Sequence, residues 1–149
     1  MDTKEKLLQA CRNFAEEKLK AIQNTLNELN DSVSSDSKST AGDKHETGRA
    51  MLHLEQEKAG EQLLQAEEMM KAIDKISLQK ASTKVVLGSL VKTNRGSFFI
   101  AISAGKIVLD IVDYYAVSPK APIAQKFMGL MKKESVKFNG VEYLIEGIL

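Results

Sequence analysis

The chain has 149 residues, 43% hydrophobic and 28% charged, with a formal net charge of +1. This suits a folded protein of one ordinary domain or two small ones and excludes a disordered chain. It carries no dense Lys/Arg cluster of the kind a dedicated DNA binder needs. Its single cysteine, Cys11, can form no internal disulfide, which fits a reduced, cytoplasmic setting.

The N-terminus carries acids at Asp2 and Glu5 and no apolar h-region, so no secretory signal is expected. No apolar run approaches the ~20 residues needed to span a membrane. The small net charge hides an asymmetry. Residues 1–77 carry 11 Lys+Arg and 15 Asp+Glu, whereas residues 78–149 carry 10 and 5. An acidic front and a basic back indicate two modules, 1–77 and 78–149, with different surfaces.

Residues 4–33 keep a 4-3 apolar spacing through Leu8, Ala15, Leu19, Ile22, Leu26, Leu29 and Val33, broken by Arg12 with Cys11 beside it. The spacing returns in Leu52, Ala59, Leu63, Ala66, Met70 and Ile73, interrupted by Gln56. Seven-residue recurrence with polar flanks is the coiled-coil signal. Three to four heptads make a weak isolated helix, so two runs joined by a polar loop are expected to fold back as an antiparallel hairpin. About 30 residues at 1.5 Å each make an arm of roughly 45 Å. A two-helix part of a compact bundle and a parallel dimer are the alternatives. The joining loop, "NDSVSSDSKSTAGD", is rich in residues whose side chains compete for backbone hydrogen bonds.

After residue 77 the pattern changes to strands. "KVVLGSLVKT" and "GSFFIAIS" read as two strands joined at "NRG". "KIVLDIVDYYAV" reads as two strands, or one with a bend, interrupted by Asp110 and Asp113. "APIAQKFMGL" reads as a short helix, with Pro122 in its first turn and Gly129 at its end. "ESVKFNGVEYLIEGIL" reads as a hairpin, with Asn139-Gly140 in a type I′ turn. The expected class is α+β: a helical hairpin arm, then a small antiparallel-sheet domain with one short helix.

The candidate chemistry sits near the arm's turn, around residues 36–47. Asp43 and Glu46 have the spacing of a capping box, in which both side chains satisfy backbone N–H groups at a helix start. Two carboxylates at an exposed turn could also share a hard cation such as Mg²⁺, although two ligands hold it weakly alone. The readings are compatible. A transition-metal set of Asp43, His45 and Glu46 is disfavoured because adjacent helical residues point apart. His53 and Glu57 form an i, i+4 surface pair. Cys11 reads as a small seam residue rather than a nucleophile. No G-x-S-x-G elbow and no glycine-rich phosphate loop occurs.

Four stretches resemble the bacterial GreA/GreB transcript-cleavage factors, in a diverged form. Gly42-Asp43-Lys44-His45-Glu46-Thr47 is similar to that family's G-D-x-x-E-N arm tip. "PIAQKFMG" with "VEYLIEGI", and "VVLGSLV", are similar to pieces of its head. Thr47, Arg49 and Ala50 depart from the tip pattern, and Lys133-Glu134 stands where a G-D is usual.

The resemblance implies a coiled-coil arm over 1–77 and an FKBP-like head over 78–149. It implies a monomer that binds RNA polymerase through the secondary channel. There Asp43 and Glu46 would meet the RNA 3′ end, share Mg²⁺ with the polymerase and stimulate cleavage of backtracked RNA. The polymerase would be the nuclease, not this chain. Pro119, Pro122 and Ile123 are the candidate head contacts. A channel-binding regulator without cleavage activity, a prolyl isomerase and a coiled-coil adaptor without chemistry are the competing readings. The isomerase is disfavoured, because it needs a deep aromatic pocket, the chain has no Trp and several of the head's aromatics must fill its small core.

Overall fold

Asp2 opens the first helix with a reciprocal cap. Its Oδ1 accepts the Glu5 N–H at 2.9 Å, and Glu5 Oε2 accepts the Asp2 N–H at 3.2 Å. Two of the helix's orphan donors are satisfied in this way. The structure is a computed structural model that describes residues 2–37, 44–79 and 82–149. The elements run α1 (Thr3–Ser37), α2 (Lys44–Asp74), β1 (Leu90–Thr93), β2 (Gly96–Ile100), β3 (Gly105–Leu109), β4 (Val112–Val117), α3 (Pro122–Phe127), β5 (Ser135–Phe138) and β6 (Val141–Ile148). The expected α+β class is borne out: two long helices, then a sheet with one short helix.

Contacts divide the chain into two compact units, Ala15–Met69 and Met1–Phe14 with Met70–Leu149. In the first unit the buried apolar residues are Ala15, Ile22, Ala59 and Ala66, two pairs at seven-residue spacing. The small alanines let helix backbones approach closely, and half-buried Leu19, Leu26, Leu52 and Leu63 flank the seam. Gln56 donates from Nε2 to Asn30 Oδ1 across the helices at 2.7 Å.

In the second unit, Leu7, Cys11 and Ile73 are buried. The inward face of α1 at its start therefore runs Leu7–Cys11–Ala15 in steps of four. The expected Leu8 is only half-buried, and Arg12 lies at the flank. Arg12 Nη1 donates to Asp74 Oδ1 at 3.1 Å. Asp74 ends α2, where a negative charge opposes the helix dipole, so the guanidinium relieves an unfavourable terminus. Each unit thus holds one side-chain bridge between the two helices, Arg12–Asp74 in one and Asn30–Gln56 in the other.

The sheet has six strands in the order β3-β4-β2-β1-β6-β5. All pairs are antiparallel except β2 with β4, so the sheet is mixed rather than wholly antiparallel. β2 lies inside the sheet, and consecutive Phe98, Phe99 and Ile100 are buried, so both its faces are covered. One face is a core of Val85, Val91, Phe98, Ile100, Ala124, Phe127 and Ile145, capped by α3.

The first expected strand is shorter than "KVVLGSLVKT". Gly88 adopts φ +90, and its N–H donates to Ile100 O at 2.7 Å, so the chain turns there before β1 begins at Leu90. A Cβ on Gly88 would lie 3.0 Å from the Ile76 side chain, a second reason for glycine at this position. Pro122 starts α3, and Gly129 follows its end at φ +82, as expected.

Candidate functional site

The two acids expected to do chemistry flank the start of α2. That helix begins at Lys44, so Asp43 immediately precedes it and Glu46 is its third residue. Asp43 lies outside the described residues, as do the side chains of Glu46 and His45. The same acid spacing at the start of α1, Asp2 and Glu5, forms the capping box described above. Further along α2, Gly48 is exposed, Arg49 half-buried and Ala50 exposed. A helical glycine costs about 1 kcal/mol relative to alanine, so Gly48 weakens the first turns of α2.

Beyond those turns the helix pair is pinned by side-chain amides. His53 Nδ1 lies 3.1 Å from Gln56 Oε1, not against Glu57 as its spacing suggested. Gln56 also donates from Nε2 to Asn30 Oδ1 at 2.7 Å, so its amide joins both partners. The chain His53–Gln56–Asn30 turns the polar break in the seam into a register mark. The sequence showed the break, but not the partner 26 residues away.

In the second unit, the expected partner residues occupy one short segment. Ser118 O accepts the Ala121 N–H at 2.9 Å, closing a turn around Pro119 and Lys120. Pro122 follows in the first turn of α3 and is exposed, whereas Pro119 is half-buried. Ile123 packs against the head core. Pro122 and Lys120 are therefore the accessible parts of this segment.

The head aromatics fill space rather than line it. Phe98 lies 5.2 Å from Phe127 and 6.0 Å from Tyr143, and Phe127 lies 5.7 Å from Tyr143, ring centre to ring centre. These are packed, tilted or edge-on contacts, and both phenylalanines are buried. That arrangement speaks against an open aromatic pocket for a prolyl peptide.

Cys11 is buried, and desolvation pushes its thiol up to about 11. A thiol so held is not a nucleophile near neutral pH. Among the described residues no group of three or more His, Cys, Asp or Glu side chains could hold a metal. No helix among them is long and apolar enough to cross a membrane.

Two features of the head were not anticipated. Lys133 and the turn residues Asp110 and Ile111 hold positive φ of 77°, 50° and 61° without being glycine. Lys133 N–H donates to Ile145 O at 2.8 Å, and Glu134 Oε1 accepts the Met131 N–H at 2.9 Å, which fixes the turn after α3. Lysine thus sits in a left-handed conformation at the position where the resemblance expects glycine.

No family model matches the sequence, and no curated protein matches it. A solved structure titled "Structure of the transcription factor Gfh1" is similar, with 16% identity over 90% of each chain and a TM-score of 0.36.

Proposed function

We propose that this chain is a Gre-like RNA polymerase factor. In this reading the α1–α2 hairpin enters the polymerase secondary channel, and Asp43 and Glu46 promote cleavage of backtracked RNA. One observation carries the reading. The G-D-x-x-E stretch runs into the start of the second of two long helices, which the Gln56–Asn30 hydrogen bond ties together within the unit Ala15–Met69. A long hairpin with acids beside the helix junction is suited to delivering carboxylates into a narrow channel. The same acids within a compact bundle would not be.

The chain is not itself the nuclease in this account. Two carboxylate oxygens suit Mg²⁺ chemically but are too few to hold it, so the polymerase and the RNA supply the remaining ligands. Mg²⁺ so shared would lower the pKa of a bound water and stabilise charge on the departing oxygen. On this reading Asp43 and Glu46 offer their carboxylate oxygens to the shared ion. Pro119 and Pro122, with Ile123 behind them in the core, form the proposed head contact at the channel rim.

A second reading is favoured by particular residues. Arg49 and Ala50 replace the family's usual surroundings of the acids, and a cation close by weakens the pull of two carboxylates on a metal ion. On that reading the chain occupies the channel and retunes the polymerase without cleavage. Transcript cleavage in backtracked complexes, with wild type and Asp43→Asn/Glu46→Gln, separates the two. Loss of stimulation in the double variant supports the cleavage reading. An unchanged effect on elongation without cleavage supports the second.

A further inference from the structure

A cavity of about 450 Å³ opens within the unit Met1–Phe14 with Met70–Leu149. Lys4 reaches it from the first turn of α1, and Lys75 from the residue directly after α2. Ser77, Ser82 and Ser89 add hydroxyls, and among the described residues no acidic side chain lines it. Val86 and Leu87 add an apolar stretch of wall. The volume is that of a small-molecule site.

The polar groups of this wall have protons to donate and no acceptor inside the chain. Ser89 is only 3% exposed, and its Oγ accepts the Val86 N–H at 2.9 Å. Ser82 Oγ accepts the Lys84 N–H at 3.2 Å. Each hydroxyl has used a lone pair, and among the described residues neither donates its own proton. Leu149, which also lines the cavity, has its carbonyl oxygen taken by the Leu90 N–H at 2.9 Å. No ion pair engages Lys4 or Lys75 among the described residues. Lys4 is held there against two penalties. It is half-buried, and that burial pulls its pKa down, with Asp2 opposing the shift only in part. It also stands at the positive end of the α1 dipole, where a cation is disfavoured. Asp2 is itself engaged in the cap, accepting the Glu5 N–H. Buried donors without acceptors are costly, and one anion in the cavity would satisfy these together.

We propose that this cavity binds a small phosphate monoester: Lys4 and Lys75 neutralise the phosphoryl group, Ser82 and Ser89 donate to its oxygens, and Val86 and Leu87 bear on the esterified body. Two ammonium groups match the nearly dianionic charge of a phosphate monoester at neutral pH, whereas a carboxylate leaves one cation uncompensated. A divalent cation is the wrong ligand, since it needs oxygen acceptors and this wall offers donors and positive charge. The site stands on the cavity alone and is independent of the polymerase reading.

The test is calorimetric titration of the full-length chain with phenyl phosphate, inorganic phosphate and phenol, at constant ionic strength in chloride. Wild type is expected to bind one phenyl phosphate, more tightly than inorganic phosphate and far more tightly than phenol. Lys4→Gln/Lys75→Gln is expected to bind it about tenfold or more weakly, as loss of charge-assisted hydrogen bonds implies. Lys4→Arg keeps the charge and is expected to keep the binding. Without ligand, the double variant should melt at the same or a higher temperature, because Lys4 is held at a cost. Wild type that does not bind phenyl phosphate, or a double variant that binds it as tightly, overturns the site. Phenol binding as tightly overturns the role of the phosphoryl group, and inorganic phosphate binding as tightly overturns the assignment to an ester. Loss of binding in Lys4→Arg overturns the charge match. A lower melting temperature for the ligand-free double variant overturns the premise that Lys4 is held at a cost.

Discussion

Lys133 offers a sharp test of how the turn after α3 is held. Its φ of 77° costs a residue with a Cβ about 1–2 kcal/mol relative to glycine. Lys133→Gly removes that cost. It keeps the 2.8 Å hydrogen bond from residue 133 N–H to Ile145 O, which is a backbone interaction. The lysine side chain is exposed, so little packing is lost. Glycine also loosens the unfolded chain, which opposes the gain by about 0.5–1 kcal/mol. The balance is a stabilisation of about 0.5–1 kcal/mol, or a rise of about 1–4 °C in melting temperature for a chain of this size. Lys133→Ala keeps the Cβ and should gain nothing. Thermal unfolding followed by circular dichroism measures both. A fall for Lys133→Gly, or an equal rise for Lys133→Ala, would refute the reasoning.

Other outcomes follow from the packing. Phe127→Ala empties the centre of the head core and should cost about 3–5 kcal/mol in urea unfolding; a loss under 1 kcal/mol would show that the core does not depend on it. A double-mutant cycle on Asn30→Ala and Gln56→Ala should give a coupling of about 0.5–1 kcal/mol, and zero coupling would remove the proposed register mark. Burial raises the Cys11 thiol from 9.0 to about 11, so between those values the folded state binds more protons than the unfolded one. This contribution is complete below about pH 9 and is lost as the pH rises toward 11. Native Cys11 should alkylate slowly up to pH 9 and rapidly in urea; fast native labelling at pH 8 would contradict its burial.

The arm was the most legible part of the fold. Heptad spacing placed Ala15, Ile22, Ala59, Ala66 and Ile73 inward, and all five are buried. Periodicity missed the start of α1, where Leu7 and Cys11 replace Leu8. Those residues belong to the unit that holds the sheet, so a partner helix alone does not set the buried face. In the sheet, local turn chemistry was informative, and Asn139-Gly140 takes the expected left-handed pair. The β2–β4 pairing is parallel and non-local, so no turn residue announces it. Asp110 marked an interruption in the sequence. That the turn would be Asp-Ile was hidden, because isoleucine is a strand former and the worst choice for that conformation. For the candidate site, the sequence supplied residue types and spacing. Asp43 and the Glu46 side chain lie outside the described residues, and the structure adds only that α2 begins at Lys44.

The central claim is that Asp43 and Glu46 work at the polymerase active site. RNA cleavage in a defined backtracked elongation complex, with and without Mg²⁺, tests it most directly. The account predicts that wild type accelerates Mg²⁺-dependent release of the RNA 3′ fragment. It also predicts that Asp43→Asn/Glu46→Gln, which should remain folded and bound to the polymerase, does not. Equal acceleration by the double variant, or none by wild type that is bound to the complex, would contradict the account.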